Sequence, residues 1–528
     1  MKRLSILPLV LLIALFVAAC APQPDSISAP TRTRLIIADQ FIPDILDGQQ
    51  SQGGYPLSHE LISQPLIRYD AQTGTFVPDL LESFTLSPDG KTLTMKLPAG
   101  YKYANGDALD AQALVDAINR YAAISPYKFD YDGMQSVTAL DATTVQVVNE
   151  IGLNVMFPTL MSSFGAPWNV SVARSVGDEA FAANPVASGP FKIKTPWTPG
   201  QDLELVRNDY YKTNMPFVQN KSAPYLEKVL VRFIADGQTR ANELEAGSVD
   251  IVFGLPASTA KKMESDPAYQ IFKRVLPGQT AISMNTAAAP FDDLNVRKAI
   301  AMALNREQLE AALSGNMTAE YAFINASMIA YDPAAQEYAK SLYPFNVEAA
   351  RKLLAASGWV DADGDGIVEK NGKPFRVEFL VDSGAVMEVD AAPVVQAQLK
   401  AIGIDIQIAL HDLAYNYDAM IAGNYQMGFS GYIWVDPDIL TYRFTEGASP
   451  SQFVTPELTA MLDAARAIPN SKERSAAYLG IQKYLLDNVP MIPLMSENLY
   501  IGARSWVKGI YIVSPYNLIL NDVRIEQP

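Results

Sequence analysis

Apolar positions along this chain alternate between two periods. Thr92-Leu93-Thr94-Met95-Lys96-Leu97 alternates polar and apolar residues, as a strand with one buried face does, and the turn residues Ser87-Pro88-Asp89-Gly90 precede it. Val229-Leu230-Val231-Arg232-Phe233-Ile234 and Arg376-Val377-Glu378-Phe379-Leu380-Val381 predict further strands. Between them the period lengthens to that of a helix. Asn295 is placed to cap a helix whose Val296, Ile300, Ala303 and Leu304 share one face. Asn305 caps the next, with Gln308 at the capping-box position. Asn346 opens a helix that Gly358 ends. Another runs from about Glu388 to Ile402, stops at Gly403 and feeds the strand Ile404 to Leu410. Helix, glycine stop and strand in succession are the rhythm of an α/β fold.

The N-terminus follows a different pattern. Lys2 and Arg3 precede an apolar run from Leu4 to Val17, and the small residues Ala18 and Ala19 lead to Cys20. That is the layout of a secretory signal, and the run is shorter than the roughly 20 residues a membrane span needs. Val17-Ala18-Ala19-Cys20 resembles a bacterial lipobox, which implies a signal peptide over 1–19 and a lipid on Cys20. Residues 20–34, rich in Pro, Ser, Thr and Gln, read as a lipidated start and flexible tether.

Composition narrows the chemistry. Of 528 residues, 49% are hydrophobic and 19% charged, so most of the chain folds, and a single core rarely exceeds ~300 residues, so two or three domains are expected. The net charge of −16 and the lack of a basic cluster argue against nucleic acid. Cys20 is the only cysteine, which leaves no disulfide. The two histidines, His59 and His411, cannot supply a His-Glu-x-x-His zinc site, and no Gly-x-Ser-x-Gly elbow is present. His411 falls in phase with Asp405 and Gln407, the solvated face of its strand.

Two local motifs carry possible chemistry. Asp361-Ala362-Asp363-Gly364-Asp365-Gly366 sets carboxylates at alternate positions around a turn, as a calcium loop does. Its twelfth position is Gly372, where such a loop places a bidentate glutamate, so Asp361, Asp363 and Asp365 either hold calcium or cap backbone amides in a surface turn. No other cofactor is expected. Asp382-Ser383-Gly384 fits the aspartic-protease pattern, but that chemistry needs a second aspartate in the same setting and the chain has no second Asp-Ser-Gly or Asp-Thr-Gly.

Several stretches, in order, resemble one family. They include Leu66-Ile67-Arg68-Tyr69-Asp70, Val77-Pro78-Asp79-Leu80-Leu81-Glu82-Ser83-Phe84, Asn105-Gly106-Asp107, Ser188-Gly189-Pro190-Phe191, Glu245-Ala246-Gly247-Ser248-Val249-Asp250, Leu294-Asn295-Val296-Arg297-Lys298-Ala299-Ile300, Ser357-Gly358-Trp359 and Pro490-Met491-Ile492-Pro493-Leu494. The chain is similar to the family 5 extracellular solute-binding proteins, receptors of peptide, nickel and related ABC importers. The resemblance implies a two-lobed periplasmic-binding-protein-like fold, type II, in the large variant with an insertion subdomain. It places lobe one at 35–280 plus 490–528, the insertion at 75–187, lobe two at 281–489, and hinge strands near Ile282-Asn285 and Met491-Leu494. It also implies a ligand between the lobes, with Tyr55, His59, Asn285, Ser383, Tyr432, Trp434 and Asp436 as candidate contacts. Tyr55, Tyr432 and Trp434 are either stacking surfaces or ordinary packing. Many peptide receptors place an aspartate before the Asp-Pro turn to pair with an ammonium, and nickel-type receptors place a histidine there. This chain reads Gly431-Tyr432-Ile433-Trp434-Val435 at that point, which leaves peptide, oligosaccharide or another polar organic solute open.

The expected function is therefore a monomeric substrate-binding lipoprotein, exported and membrane-anchored, that presents a small solute or oligopeptide to an ABC permease and ATPase without bond chemistry. The alternatives are a secreted carboxylate-dependent hydrolase such as a glycosidase, and a lipoprotein that senses its ligand for a partner.

Overall fold

A computed structural model describes residues 32–52, 57–70, 75–469, 471–514 and 517–526. Cys20, Tyr55 and the signal and tether readings over 1–31 lie outside the described residues. Twelve strands form one hydrogen-bonded system. Its main path runs Asp405–His411, Arg376–Asp382, Met427–Ile433, Gly278–Met284, Met491–Arg504, Ile251–Phe253, Arg34–Asp39, Lys228–Phe233, Leu203–Arg207 and Phe191–Ile193. Alternating residues of the strands on either side of Met491–Arg504 fill two separate cores. Leu35, Ile37, Val229, Val231, Ile251 and Phe253 pack in the first; Val377, Phe379, Val381, Ile404, Ile406 and Met427 pack in the second.

The 14-residue strand Met491–Arg504 joins these two bodies. Its first part pairs with Gly278–Met284 through Ala281↔Pro493 and Ile282↔Ile492. Its last part pairs with Tyr269–Val275 and Ile251–Phe253, through Ile271↔Gly502 and Val252↔Gly502. The segments Ile282-Asn285 and Met491-Leu494, expected as hinge strands, pair with each other inside the second body. Ile282, Met284, Ile492, Leu494 and Met495 are buried in the second core, and the chain crosses between bodies at 275–278 and 496–498. Their apolar side chains require burial there, so the return to the first body falls after 490, the boundary read from the sequence.

A third body has its own four-stranded sheet, Ser83–Leu86, Thr92–Lys96, Thr144–Asn149 and Met134–Ala139. Helix Ala111–Ile124 covers it, starting where Asp110 accepts a hydrogen bond from the Ala113 amide at 3.0 Å. The core of this body runs from Leu66 to Phe164, together with Ile329. Ala166, Trp168, Ala173, Phe181 and Ala187 instead pack into the first body. The insertion expected over 75–187 therefore splits, and its last segment belongs to lobe one's core.

Local signals behave as their chemistry dictates, with small shifts. Asp293, not Asn295, caps the helix Leu294–Ala303 and accepts from the Asn295 amide at 2.8 Å. Asn305 caps Arg306–Ala312 through the Gln308 amide at 2.9 Å, but the Asn305 amide donates to Gln398 Oε1 at 3.1 Å, so a neighbouring helix completes the box. Helix Val386–Lys400 ends before Gly403, whose φ of +85° is the left-handed stop the sequence predicts.

Candidate functional site

All three bodies line a cavity of about 700 Å³. The hairpin Ile67–Asp70 and Thr75–Pro78 contributes Tyr69, Asp70 and Phe76 from one side. Phe217 and Tyr511, stacked at 4.8 Å and 12°, form a second wall. Arg274, at the end of Tyr269–Val275, borders it beside the crossing. The second body supplies residues 326–331, Val435, and Ser471, Lys472 and Ser475 from the start of helix Ser471–Asn488.

Hydrogen bonds fix these walls. Asn325 Nδ2 donates to the carbonyls of Leu276 (2.8 Å) and Gly278 (2.6 Å) and to Ser496 Oγ (3.0 Å), which ties residues 326–331 to both crossings. Ser327 Oγ donates to Val275 O at 2.6 Å, the Ile329 amide to Val435 O at 2.8 Å, and Ser475 Oγ to Ala330 O at 3.2 Å. On the opposite side Arg68 is buried between Glu60 (3.0 Å) and Asp79 (2.9 Å). Burial opposes its charge, but the two carboxylates outweigh that and hold its pKa above the ordinary arginine value. Asp79 also accepts from Gln64 and Thr213 at 2.9 and 2.7 Å, so this cation serves to anchor the hairpin.

The second body also meets the third along a seam beside the cavity. Trp434 lies 6.3 Å from Tyr127 and 6.2 Å from Phe129, and Phe129 lies 5.0 Å from Tyr442. Asn154 Nδ2 donates to Ile468 O across the same seam. Asp130, 5% exposed, accepts from Thr159 Oγ1 at 2.5 Å and Tyr121 OH at 3.2 Å. Burial pushes its carboxyl up to about 7; the two hydroxyl bonds oppose this, and the charges of Asp436 and Asp438 add to it.

The residues singled out from sequence are placed as follows. His59 is fully buried, with Nε2 at 2.7 Å from Ile45 O, and burial lowers its pKa. Every residue of its helix Leu57–Ile62 is buried, so it packs inside the first body and is not among the residues that line the cavity. Asn285 donates to Gly423 O and Tyr425 O at 2.9 and 3.2 Å and accepts from the Ala287 amide, which satisfies it inside the second body. Asp436 is 1% exposed and held by both Arg474 guanidinium nitrogens at 2.6 and 2.7 Å, so its carboxylate is engaged in a buried ion pair. Tyr432 donates its hydroxyl to Phe323 O and borders a separate hollow of about 220 Å³ with Glu388 and Leu413. Trp434 belongs to the seam, while its neighbour Val435 lines the cavity. Ser383 is exposed where strand Arg376–Asp382 ends, and its amide donates to His411 O at 2.8 Å.

In the Asp-rich loop, ligand oxygens of Asp361, Asp363, Asp365 and Glu369 lie within 4.8 Å of one another. The same carboxylates already accept backbone amides: Asp361 from Gly364 and Gly366, Asp363 from Asp365, Asp365 from Ile367, and Glu369 from Ala362. Arg274, Lys472, Phe217, Tyr331 and Tyr511 were not predicted. The break Lys273-Arg274-Val275-Leu276-Pro277-Gly278, a charged strand end running into Pro-Gly, is the signal that marks Arg274.

Two α/β bodies bridged by crossing strands, with a third body closing over a cavity between them, define a solute receptor. Residues 75–451 match the family described as bacterial extracellular solute-binding proteins, family 5 Middle, and the chain belongs to that family. It is 25% identical to the oligopeptide-binding protein AppA of Bacillus subtilis over 551 residues, covering 96% of each chain. It is 25% identical to the nickel-binding periplasmic protein of Escherichia coli, covering 89% of each. The structure of NikA from Brucella suis in complex with Fe(III)-EDTA superposes with a TM-score of 0.80 at 22% identity, over 93% of this chain and 100% of that one. The protein is accordingly a substrate-binding protein of the ABC importer type with the two-lobed α/β fold, and the hydrolase reading is set aside.

Proposed function

We propose that this receptor captures an oligopeptide-sized organic solute in the 700 Å³ cavity and presents it, enclosed, to an ABC permease and its ATPase. The observation that carries this is the lining: no single body encloses the cavity, so a ligand that touches all three favours the closed arrangement. Its volume and aromatic walls suit a short peptide or comparable organic molecule far better than a bare metal ion. The relative AppA is an oligopeptide-binding protein, which supports the same class. Cys20, lipidated after loss of 1–19, keeps the monomeric receptor beside its permease. No bond is made or broken in the ligand.

Native mass spectrometry on protein lacking residues 1–20 tests this. A co-purified organic solute is expected, and Tyr331→Ala should weaken its binding. Conversion of that solute into products, or unchanged binding when Ser475→Trp fills the cavity, would refute the proposal.

A further inference from the structure

Several buried arginines are matched by carboxylates or by main-chain carbonyls. Arg68 faces Glu60 at 3.0 Å and Asp79 at 2.9 Å, and Arg474 faces Asp436 at 2.6 Å. Arg240 donates to Gly254 O and Ile234 O, and Arg297 to Phe291 O and Asn488 O. Arg306 has neither arrangement. It is 4% exposed, and its one hydrogen bond among the described residues runs from Nε to Pro493 O at 2.8 Å. Its guanidinium lies 4.7 Å from the Tyr321 ring centroid, and the carboxylate of the next residue, Glu307, accepts the Tyr321 hydroxyl instead. Burial lowers the Arg306 pKa to about 10, with Tyr321 and Glu307 opposing, so the side chain remains a cation at neutral pH.

Beside this cation is a cavity of about 10 Å³, room for one particle the size of a water molecule. Its walls carry no carboxylate; Ala301, Ala339, Leu486, Val489 and Met491 make much of them. Two tyrosines also line it, and both hydroxyls are committed, Tyr321 to Glu307 and Tyr343 to Leu486 O at 2.9 Å. The four Nη hydrogens of Arg306 therefore have no protein acceptor among the described residues. A guanidinium left without counter-charge in apolar surroundings is costly. Size excludes a carboxylate or phosphate from this cavity, and charge excludes a metal cation. A monatomic anion satisfies both.

We propose that Arg306 binds a halide ion of the chloride type in this cavity. The ion supplies the counter-charge that the fold does not. It also braces the helix Arg306–Ala312 against Met491 to Pro493, the part of the long strand that lies just before the crossing. The site is separate from the solute cavity and does not depend on it.

The test uses protein lacking residues 1–20 in gluconate buffer at neutral pH. Replacing gluconate by chloride at constant ionic strength, from ~1 to ~100 mM, should raise the unfolding temperature saturably by about 2–4 °C, and bromide should do the same. Crystals grown in bromide should show an anomalous peak within hydrogen-bond reach of the Arg306 Nη atoms. Arg306→Met removes the cation and should remove the halide response. Ala339→Leu fills the cavity, leaves the cation in place and should remove the response as well. Where either variant fails to fold, the bromide crystals of the unaltered protein decide. The proposal is overturned by the lack of a halide-specific rise, by a rise that Ala339→Leu retains, or by a water molecule at the site in bromide crystals. A bromide peak without any stability response marks an adventitious ion only and overturns it too.

Discussion

The second body meets the rest of the molecule along two seams made of different materials. At the crossings the contact is backbone: Met491–Arg504 pairs with strands of both bodies, and Asn325 binds two carbonyls and a hydroxyl where the chain passes over. At the other seam the contacts are side chains: the rings of Tyr127, Phe129, Trp434 and Tyr442, one Asn154 hydrogen bond, and a buried Asp130 facing two further acids. Buried backbone groups that lose partners are costly, so the crossings bend but do not part. Ring contacts and a like-charge cluster part at far smaller cost. On the proposed reading, the crossings serve as the hinge and the aromatic seam as the edge that opens, with the cavity between them.

The seam is most vulnerable at its base. Asp436→Asn leaves Arg474 buried without its carboxylate, and a loss of about 3–5 kcal/mol is expected in denaturant unfolding. On the hinge side Gly278 has φ +112°, and a Cβ there would lie 2.0 Å from Tyr432 O. Gly278→Ala should therefore destabilise by on the order of 1–3 kcal/mol or more and disturb closure, read by unfolding and by small-angle scattering with and without solute. Trp434→Ala should cost the closed form about 1–2 kcal/mol, seen mainly as roughly tenfold faster solute release with little change in the far-ultraviolet spectrum.

The smallest effect concerns pH. Burial raises Asp130 to about 7; the hydroxyls of Tyr121 and Thr159 stay with it in the third body, and opening the seam removes the part of the rise due to Asp436 and Asp438, so the closed form favours this carboxyl protonated. That contribution to closure is lost as pH rises through about 7. Solute affinity should fall across that window in the wild type, and Asp130→Asn should flatten that fall. An unchanged profile in the variant would remove Asp130 from the account.

Most of the fold is legible along the chain because each element states its own burial. Thr92 to Lys96 alternates and forms a strand; Asn346 and Gly358 bracket a helix and do so in the structure. The cavity is not legible in that way. Its walls come from residues near 70, 217, 274, 330, 472 and 511, mostly from loops and element ends, which carry no hydrophobic period. Asp436 illustrates the failure: its partner Arg474 is 38 positions away, so nothing local shows that its charge is already committed. His59 fails for the opposite reason. A polar residue near a family motif suggests a site, but its helix is buried on every side. Trp434, which the sequence leaves as either a stacking surface or ordinary packing, meets the rings of the third body.

On the proposed reading, solute enters by parting the aromatic seam while the crossing strands stay paired. Cys20 is the chain's only cysteine, so protein lacking residues 1–20 with Asn154→Cys and Ile468→Cys carries a single pair, placed where Asn154 meets the Ile468 backbone. Stopped-flow loading of the co-purified solute should be nearly abolished in the oxidised, solute-free protein and restored by a reductant. Equal loading rates in the oxidised and reduced forms would contradict the account.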